Sequence, residues 1–120
     1  MAPIEDIVLV LEDEEDARAF LTQILEFEGF TVVALSNGAE AVDYLARSEV
    51  PCLILLDIRM PVMDGRQFRA SMLQDPRLAN IPVVIVTALD PSAAAGMSAL
   101  RVFTKPVDVD ALLNVVRDIC

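Results

Sequence analysis

Cys52-Leu53-Ile54-Leu55-Leu56-Asp57 (CLILLD) sets five apolar residues in a row and ends them on a carboxylate. A run that short, with no polar residue interleaved, suits a strand covered on both faces, as in a parallel sheet. Two runs of the same type stand on either side of it, Ile7–Leu11 (IVLVL) and Val83–Val86 (VVIV). Weaker strands fit at Thr31–Leu35 (TVVAL) and Arg101–Phe103.

The segments between these runs have helical spacing. In Glu14–Glu28 the apolar residues Ala17, Phe20, Leu21, Ile24 and Leu25 recur at i, i+3, i+4, i+7 and i+8, and Gly29 is a natural C-cap. Ala41, Val42, Leu45 and Ala46 give a second helix its inward face. A third is expected from about Gly65 to Gln74, with Phe68, Met72 and Leu73 inward and Asp75-Pro76 as its stop. Asp90-Pro91 reads as an N-cap and first-turn proline for a short, Ala-rich fourth helix. A last helix follows Asp108, with Leu112, Leu113, Val115, Val116 and Ile119 on one side. Strand and helix thus alternate five times, and right-handed crossovers give a doubly wound α/β sheet. The 120 residues are expected to form one domain, 1–120.

Composition narrows the chemistry. Asp and Glu number 19 against 9 Lys and Arg, a formal net charge of −10, which disfavours direct nucleic-acid binding. The chain has no His, so a Ser-His-Asp triad, a His-ligated zinc site and a phosphohistidine of its own are all excluded. Cys52 and Cys120 lie far apart and in no C-x-x-C arrangement. Both are expected to be structural or incidental, Cys52 in the core, with no disulfide framework and a reducing cytoplasm as the default. Met1–Asp6 is acidic and lacks the basic and apolar regions of a signal peptide, and no apolar run is long enough for a membrane span.

In a doubly wound sheet, ligands bind outside the carboxyl ends of the strands. There stand Glu12 and Asp13 after the first strand, Asp57 after the third, Thr87 after the fourth and Lys105-Pro106 after the fifth. Lys105 is the only lysine; the other basic residues are Arg. Glu14, Glu15 and Asp16 read simply as favourable charge at a helix N-terminus. Glu12, Asp13 and Asp57 form an oxygen-only anionic set, which suits Mg²⁺ or Mn²⁺. Such an ion neutralises two charges and leaves the third carboxylate as nucleophile toward a phosphoryl group, with Lys105 and Thr87 on its other oxygens. Met60 and Met63 read as loop packing.

These residues resemble the receiver domains of bacterial response regulators, the phospho-accepting partners of sensor histidine kinases. The resemblance spans essentially the whole chain: the acidic pair in LVLEDE, the block LLDIRMPVMDG (Leu55–Gly65), Thr87 in VIVTA and Lys105-Pro106 in FTKP. It implies a flavodoxin-like (βα)5 fold with strand order 2-1-3-4-5. It also implies Asp57 as the phosphorylated residue, Asp13 as a direct metal ligand, Glu12 acting through a metal-bound water, and the Arg59 carbonyl as a further ligand. Thr87 would be the switch hydroxyl, Lys105 would bond the phosphoryl group, and Ala88, being small, would leave it accessible. Lys105–Pro106 would be cis, and Pro61 and Gly65 would shape the loop after Asp57.

The sequence departs from that family in two places. Val102 stands where an aromatic usually rotates with the switch hydroxyl, while Phe103 is expected to face the core. The Thr87–Lys105 segment is also shorter than usual, trimming the fourth helix. The implied function is a phosphorylation switch fed by a sensor histidine kinase or a phosphotransfer protein, with weak or phosphorylation-linked homodimerisation open. A competing reading is a pseudo-receiver that is never phosphorylated and acts only as a protein-interaction module. Turnover enzymes fit less well: aspartyl-phosphate phosphatases of the haloacid-dehalogenase type need an acid where Arg59 stands, no G-x-x-x-x-G-K-[ST] loop exists, and the acids at 12–16 repel a flavin phosphate. Entry at Met1 reads as a natural start, of either a stand-alone receiver or one belonging to a larger regulator.

Overall fold

The computed structural model describes residues 7–120; Met1 to Asp6, on which the expectation about a signal peptide falls, lie outside the described residues. Its elements are β1 (Ile7–Leu11), α1 (Glu15–Phe27), β2 (Thr31–Leu35), α2 (Gly38–Arg47), β3 (Leu53–Leu56), α3 (Gly65–Leu73), β4 (Val83–Thr87), a 3-10 turn (Pro91–Ala94), β5 (Arg101–Thr104) and α4 (Val109–Ile119). The strands form one parallel sheet in the order β2-β1-β3-β4-β5. No described helix is long and apolar enough to cross a membrane.

The unbroken apolar runs are explained by the two cores they feed. Successive strand residues point to opposite faces. Leu9, Leu11, Ile54, Leu56, Val83 and Ile85 therefore meet Ala41 and Leu45 of α2 and Phe68 and Met72 of α3 on one side. Val8, Val10, Leu53, Leu55, Val84, Val86 and Phe103 meet Leu21 and Leu25 of α1 and Leu112, Leu113 and Val116 of α4 on the other. With both faces covered, positions of either parity in the central strands are apolar up to Thr87 at the end of β4. Phe103 points into the core as expected, and the Arg101 guanidinium lies 5.0 Å from its ring centre.

The starts of α2, α3 and α4 are capped by side chains. Asn37 accepts from the Glu40 N–H at 2.9 Å, and Asp108 accepts from that of Ala111 at 3.1 Å. At α3, Asp64 and Gln67 form a reciprocal capping box. Gly29, at φ +96°, closes α1, with its own N–H on Glu26 and that of Phe30 on Leu25.

Three expectations are corrected. The fourth helix is one 3-10 turn, because Gly96 at φ +79° and Ser98 at φ 56° reverse the chain soon after Pro91. Carbonyls that a longer helix would have satisfied are instead taken up by two arginines of α3. Arg66 donates to Ala93 and, at 2.9 Å, to Ala95; buried Arg69 donates to Met97 at 2.8 Å and Ser98 at 3.0 Å. Phe20, Val42, Ala46 and Leu73, placed inward by periodicity, are exposed, since each sits at the margin of its helix's apolar stripe.

The cysteines are the third correction. Cys52 and Cys120 are joined in a disulfide across a sequence separation of 68, with Cα atoms 5.7 Å apart. Cys52 is half-buried rather than a core residue. Its N–H bonds Ile7 at 2.9 Å, which fixes it at the edge where the parallel strands begin. Helix α4 returns antiparallel to the strands and delivers Cys120 to that same edge. Topology makes this proximity, and sequence spacing does not display it.

Of the chain's glycines, Gly65, near the carboxyl ends of the strands, is the one most closely approached by backbone. A Cβ there would stand 2.3 Å from the Asp57 carbonyl oxygen and 2.8 Å from the Ile58 Cα. Both obstacles are backbone, so a Gly65→Ala variant is expected to lose at least about 2 kcal/mol through overpacking. Urea denaturation checks it, and an unchanged midpoint would contradict the close approach.

Candidate metal and phosphoryl site

The carboxyl end of β1 extends into Glu12 and Asp13, that of β3 into Asp57, and that of β5 into Lys105. Backbone pairing sets their heights: Asp57 N–H bonds Leu11, Glu12 N–H bonds Leu35 and Lys105 N–H bonds Thr87, all at 2.9–3.0 Å. Carboxylate oxygens of Glu12, Asp13 and Asp57 come within 4.8 Å of one another. Glu12 is 1% exposed, Asp57 6% and Thr87 0%, whereas Asp13 faces solvent.

Lys105 spans the group. Its Nζ contacts Glu12 Oε1 and lies 3.1 Å from Asp57 Oδ2. Burial raises the Glu12 carboxyl above its usual value, and the Asp57 charge adds to that, against hydrogen bonds from Lys105 and the Glu14 N–H. Burial also works against the Lys105 charge, but its bonds to Glu12 and Asp57 outweigh it and hold the ammonium above the ordinary lysine value.

The rest of the site fixes orientations. Asp57 Oδ1 accepts from the Ile58 N–H at 2.7 Å, leaving Oδ2 toward Lys105. Thr87 Oγ1 accepts from the Leu89 N–H at 3.2 Å. Arg59 and Ala88 are exposed at the rim of a cavity of about 430 Å³ that also borders Asp13, Asp57, Thr87 and Lys105. The Lys105–Pro106 peptide is cis. In the loop after Asp57, Val62 has φ 67°, a strained conformation for a β-branched residue. Val102 is half-buried and packs on the face that carries the 3-10 turn.

One contributor escapes a reading of strand ends. Arg18 Nη1 donates to the carbonyls of Glu12 at 3.0 Å and Asp13 at 3.2 Å, tying α1 to the acidic turn. The signal lay in the charge pattern, because Arg18 is the single basic residue of α1 and follows five acids.

The arrangement offers a fixed, partly shielded carboxylate, a cation beside it and a hydroxyl on the neighbouring strand. Its three crowded carboxylates fit a hard divalent cation by donor type and charge. Residues 8–117 match the model of a family described as the response regulator receiver domain. The chain is 34% identical over 113 residues to Protein PilH of Pseudomonas aeruginosa, covering 91% of this chain and 93% of that protein. It is 32% identical to sporulation initiation phosphotransferase F of Bacillus subtilis, covering 92% and 90%. Among solved structures, the signal receiver domain of a signal transduction histidine kinase from Syntrophus aciditrophicus superposes with a TM-score of 0.87 at 32% identity, covering 95% and 89%.

Removing the lysine tests the electrostatics. A carboxyl raised by folding makes the fold less stable as pH climbs from below the unfolded-state value through the folded one. Lys105→Met raises Glu12 further, so its stability loss is expected to be about 2 kcal/mol at pH 7 and much smaller near pH 4. Solvent screening at the 25% exposed Lys105 side chain limits the loss to that size. Urea unfolding at the two pH values checks it; an equal loss at both would contradict the assigned role of Glu12.

Proposed function

The chain belongs to the family of response regulator receiver domains, and we propose that it serves there as a phosphoryl acceptor, with Asp57 taking the group from a phosphohistidine on another protein. The observation that carries this reading is the placement of Asp57. Its carboxylate stands at the floor of the acidic cavity with Oδ1 held by a backbone N–H and Oδ2 beside the ammonium of Lys105.

In the transfer, a carboxylate oxygen of Asp57 bonds to phosphorus as the phosphorus–nitrogen bond of the donor breaks, and the imidazole leaves with that electron pair. Lys105, already 3.1 Å from Oδ2, supplies positive charge to the incoming phosphoryl oxygens. Thr87 reaches the same cavity with a hydroxyl proton free for donation, and exposed Ala88 leaves the approach open. Asp13 and Asp57, the Arg59 carbonyl, and Glu12 through a water would hold Mg²⁺ or Mn²⁺. When bound, such an ion would supply charge neutralisation for the phosphoryl oxygens. With these parts the domain promotes its own phosphorylation and dephosphorylation, and turns over no separate substrate.

The phosphoryl group adds roughly −1.5 to −2 charges beside Lys105 and Thr87. Shifting a two-state domain from mostly inactive to mostly active takes about 5.5 kcal/mol of differential stabilisation. Val102 gives the face beside the 3-10 turn a smaller moving part than an aromatic would. The donor is a sensor histidine kinase or a phosphotransfer protein, and any self-association is weak or linked to phosphorylation. The net charge of −10 argues against direct nucleic-acid contact. Residues 1–120 act as one receiver unit, placed in the cytoplasm by the nature of the donor rather than by the cysteines.

Incubation with Mg²⁺ and a small acyl phosphate should give a base-labile phosphoryl adduct that is lost in Asp57→Asn. No adduct, with Mg²⁺ binding confirmed, would favour the pseudo-receiver reading instead. The metal assignment has its own check. Mg²⁺ should raise the melting temperature of the wild type, because it binds only the folded site, and should leave that of Asp13→Ala almost unmoved. An equal rise in both proteins would contradict the site.

A further inference from the structure

We propose that Cys52 and Cys120 are a reversible thiol–disulfide modification site, exchanging with low-molecular-weight thiols, that fastens the end of α4 to the base of β3. The acceptor chemistry uses neither cysteine, and the pair lies at the opposite edge of the sheet from Asp57.

The argument begins with which elements the bridge joins. Cys52 immediately precedes β3 at its base and Asp57 immediately follows it at its top. Lys105 follows β5 at the top, and α4 then descends to Cys120 at the base. The same two arms are therefore linked twice, by the Lys105–Asp57 ion pair above and by the disulfide below. The upper link responds to charge at Asp57, and the lower one responds to thiols.

The last turn of α4 is held less deeply than the body of the helix, with Ile119 and Cys120 only partly buried against the core. Leu112, Leu113 and Val116 anchor the body of the helix in the core. Beyond Val116, Ile119 and Cys120 are only half-buried, and the ion pair of Arg117 with Glu28 lies at the surface. Surface pairs contribute little. Both cysteines are half-buried rather than enclosed, so a thiolate can reach the bridge. Closure across a separation of 68 residues also removes much unfolded-state freedom.

The exchange balances as a two-step reaction. One thiolate attacks a bridge sulfur and gives a mixed disulfide and a free protein thiol. A second thiol then displaces that protein sulfur, leaving both cysteines reduced and one molecule of the small disulfide. Oxidation is the reverse, with the small disulfide, such as oxidised glutathione, accepting the two electrons.

The test equilibrates the 120-residue chain in reduced or oxidised glutathione and reads thiol alkylation by intact mass, thermal unfolding and amide hydrogen exchange. Oxidised protein should be a monomer with no alkylatable thiol, and reduced protein should expose two. Reduction should lower the melting temperature by about 10 °C. It should also speed exchange several-fold in the last turn of α4 while leaving β3 protected. Cys52→Ser with Cys120→Ser should behave like reduced wild type under both conditions. Should that variant fold poorly, reduced against oxidised wild type decides alone. Glutathione adducts at the separate cysteines, disulfide-linked dimers, or a bridge whose reduction changes neither melting nor exchange would overturn the proposal.

Discussion

Lys105 allows three carboxylates to gather at one end of a sheet whose strands are otherwise apolar. Two of them, Glu12 and Asp57, are almost fully withdrawn from water, and like charges so placed oppose folding. The ammonium touches both and sits between the β1 and β3 arms from a third one, β5. Its presence makes the acidic cavity compatible with a stable fold. Under the proposed function, the same charge would face phosphoryl oxygens bound at Asp57. One side chain would thus serve stability in the resting site and electrostatics in the proposed transfer.

The sheet turns this local balance into fixed geometry. Each central strand sends alternate residues into two separate cores, so a slip of one position would exchange every contact on both faces. Strand register consequently sets the heights of Glu12, Asp57, Thr87 and Lys105 without help from loops. The loop that does matter, after Asp57, is held by the tight approach of Gly65 to the Asp57 and Ile58 backbone. On the far side of β4, the arginines of α3 hold a connection too short for a full helix.

Much of this was legible in the sequence because the strands announce themselves. Runs such as IVLVL and CLILL admit few alternatives, and residues following a parallel strand must collect at one edge, so Asp57, Thr87 and Lys105 could be named together. The fourth helix misled because Ala-rich composition and a good N-cap speak only for initiation. The reversal at Gly96 and Ser98 and the donation from Arg66 and Arg69 to the carbonyls of this segment depend on the tertiary fold. Phe20, Val42, Ala46 and Leu73 showed how periodicity overestimates the width of a buried stripe. The bridge between Cys52 and Cys120 was hidden for a different reason: it depends on α4 running antiparallel to β3, which no spacing along the chain encodes.

The most direct test of Asp57 as acceptor is to locate the adduct. Phosphoramidate presents a phosphorus–nitrogen bond like that of phosphohistidine, and borohydride reduces an acyl phosphate to the alcohol. After reaction with phosphoramidate and Mg²⁺, borohydride treatment and peptide mass spectrometry should find homoserine at position 57 and unmodified side chains at Glu12 and Asp13. Reduction at either of those carboxylates instead, or none at position 57 in a protein that binds Mg²⁺, would contradict the account.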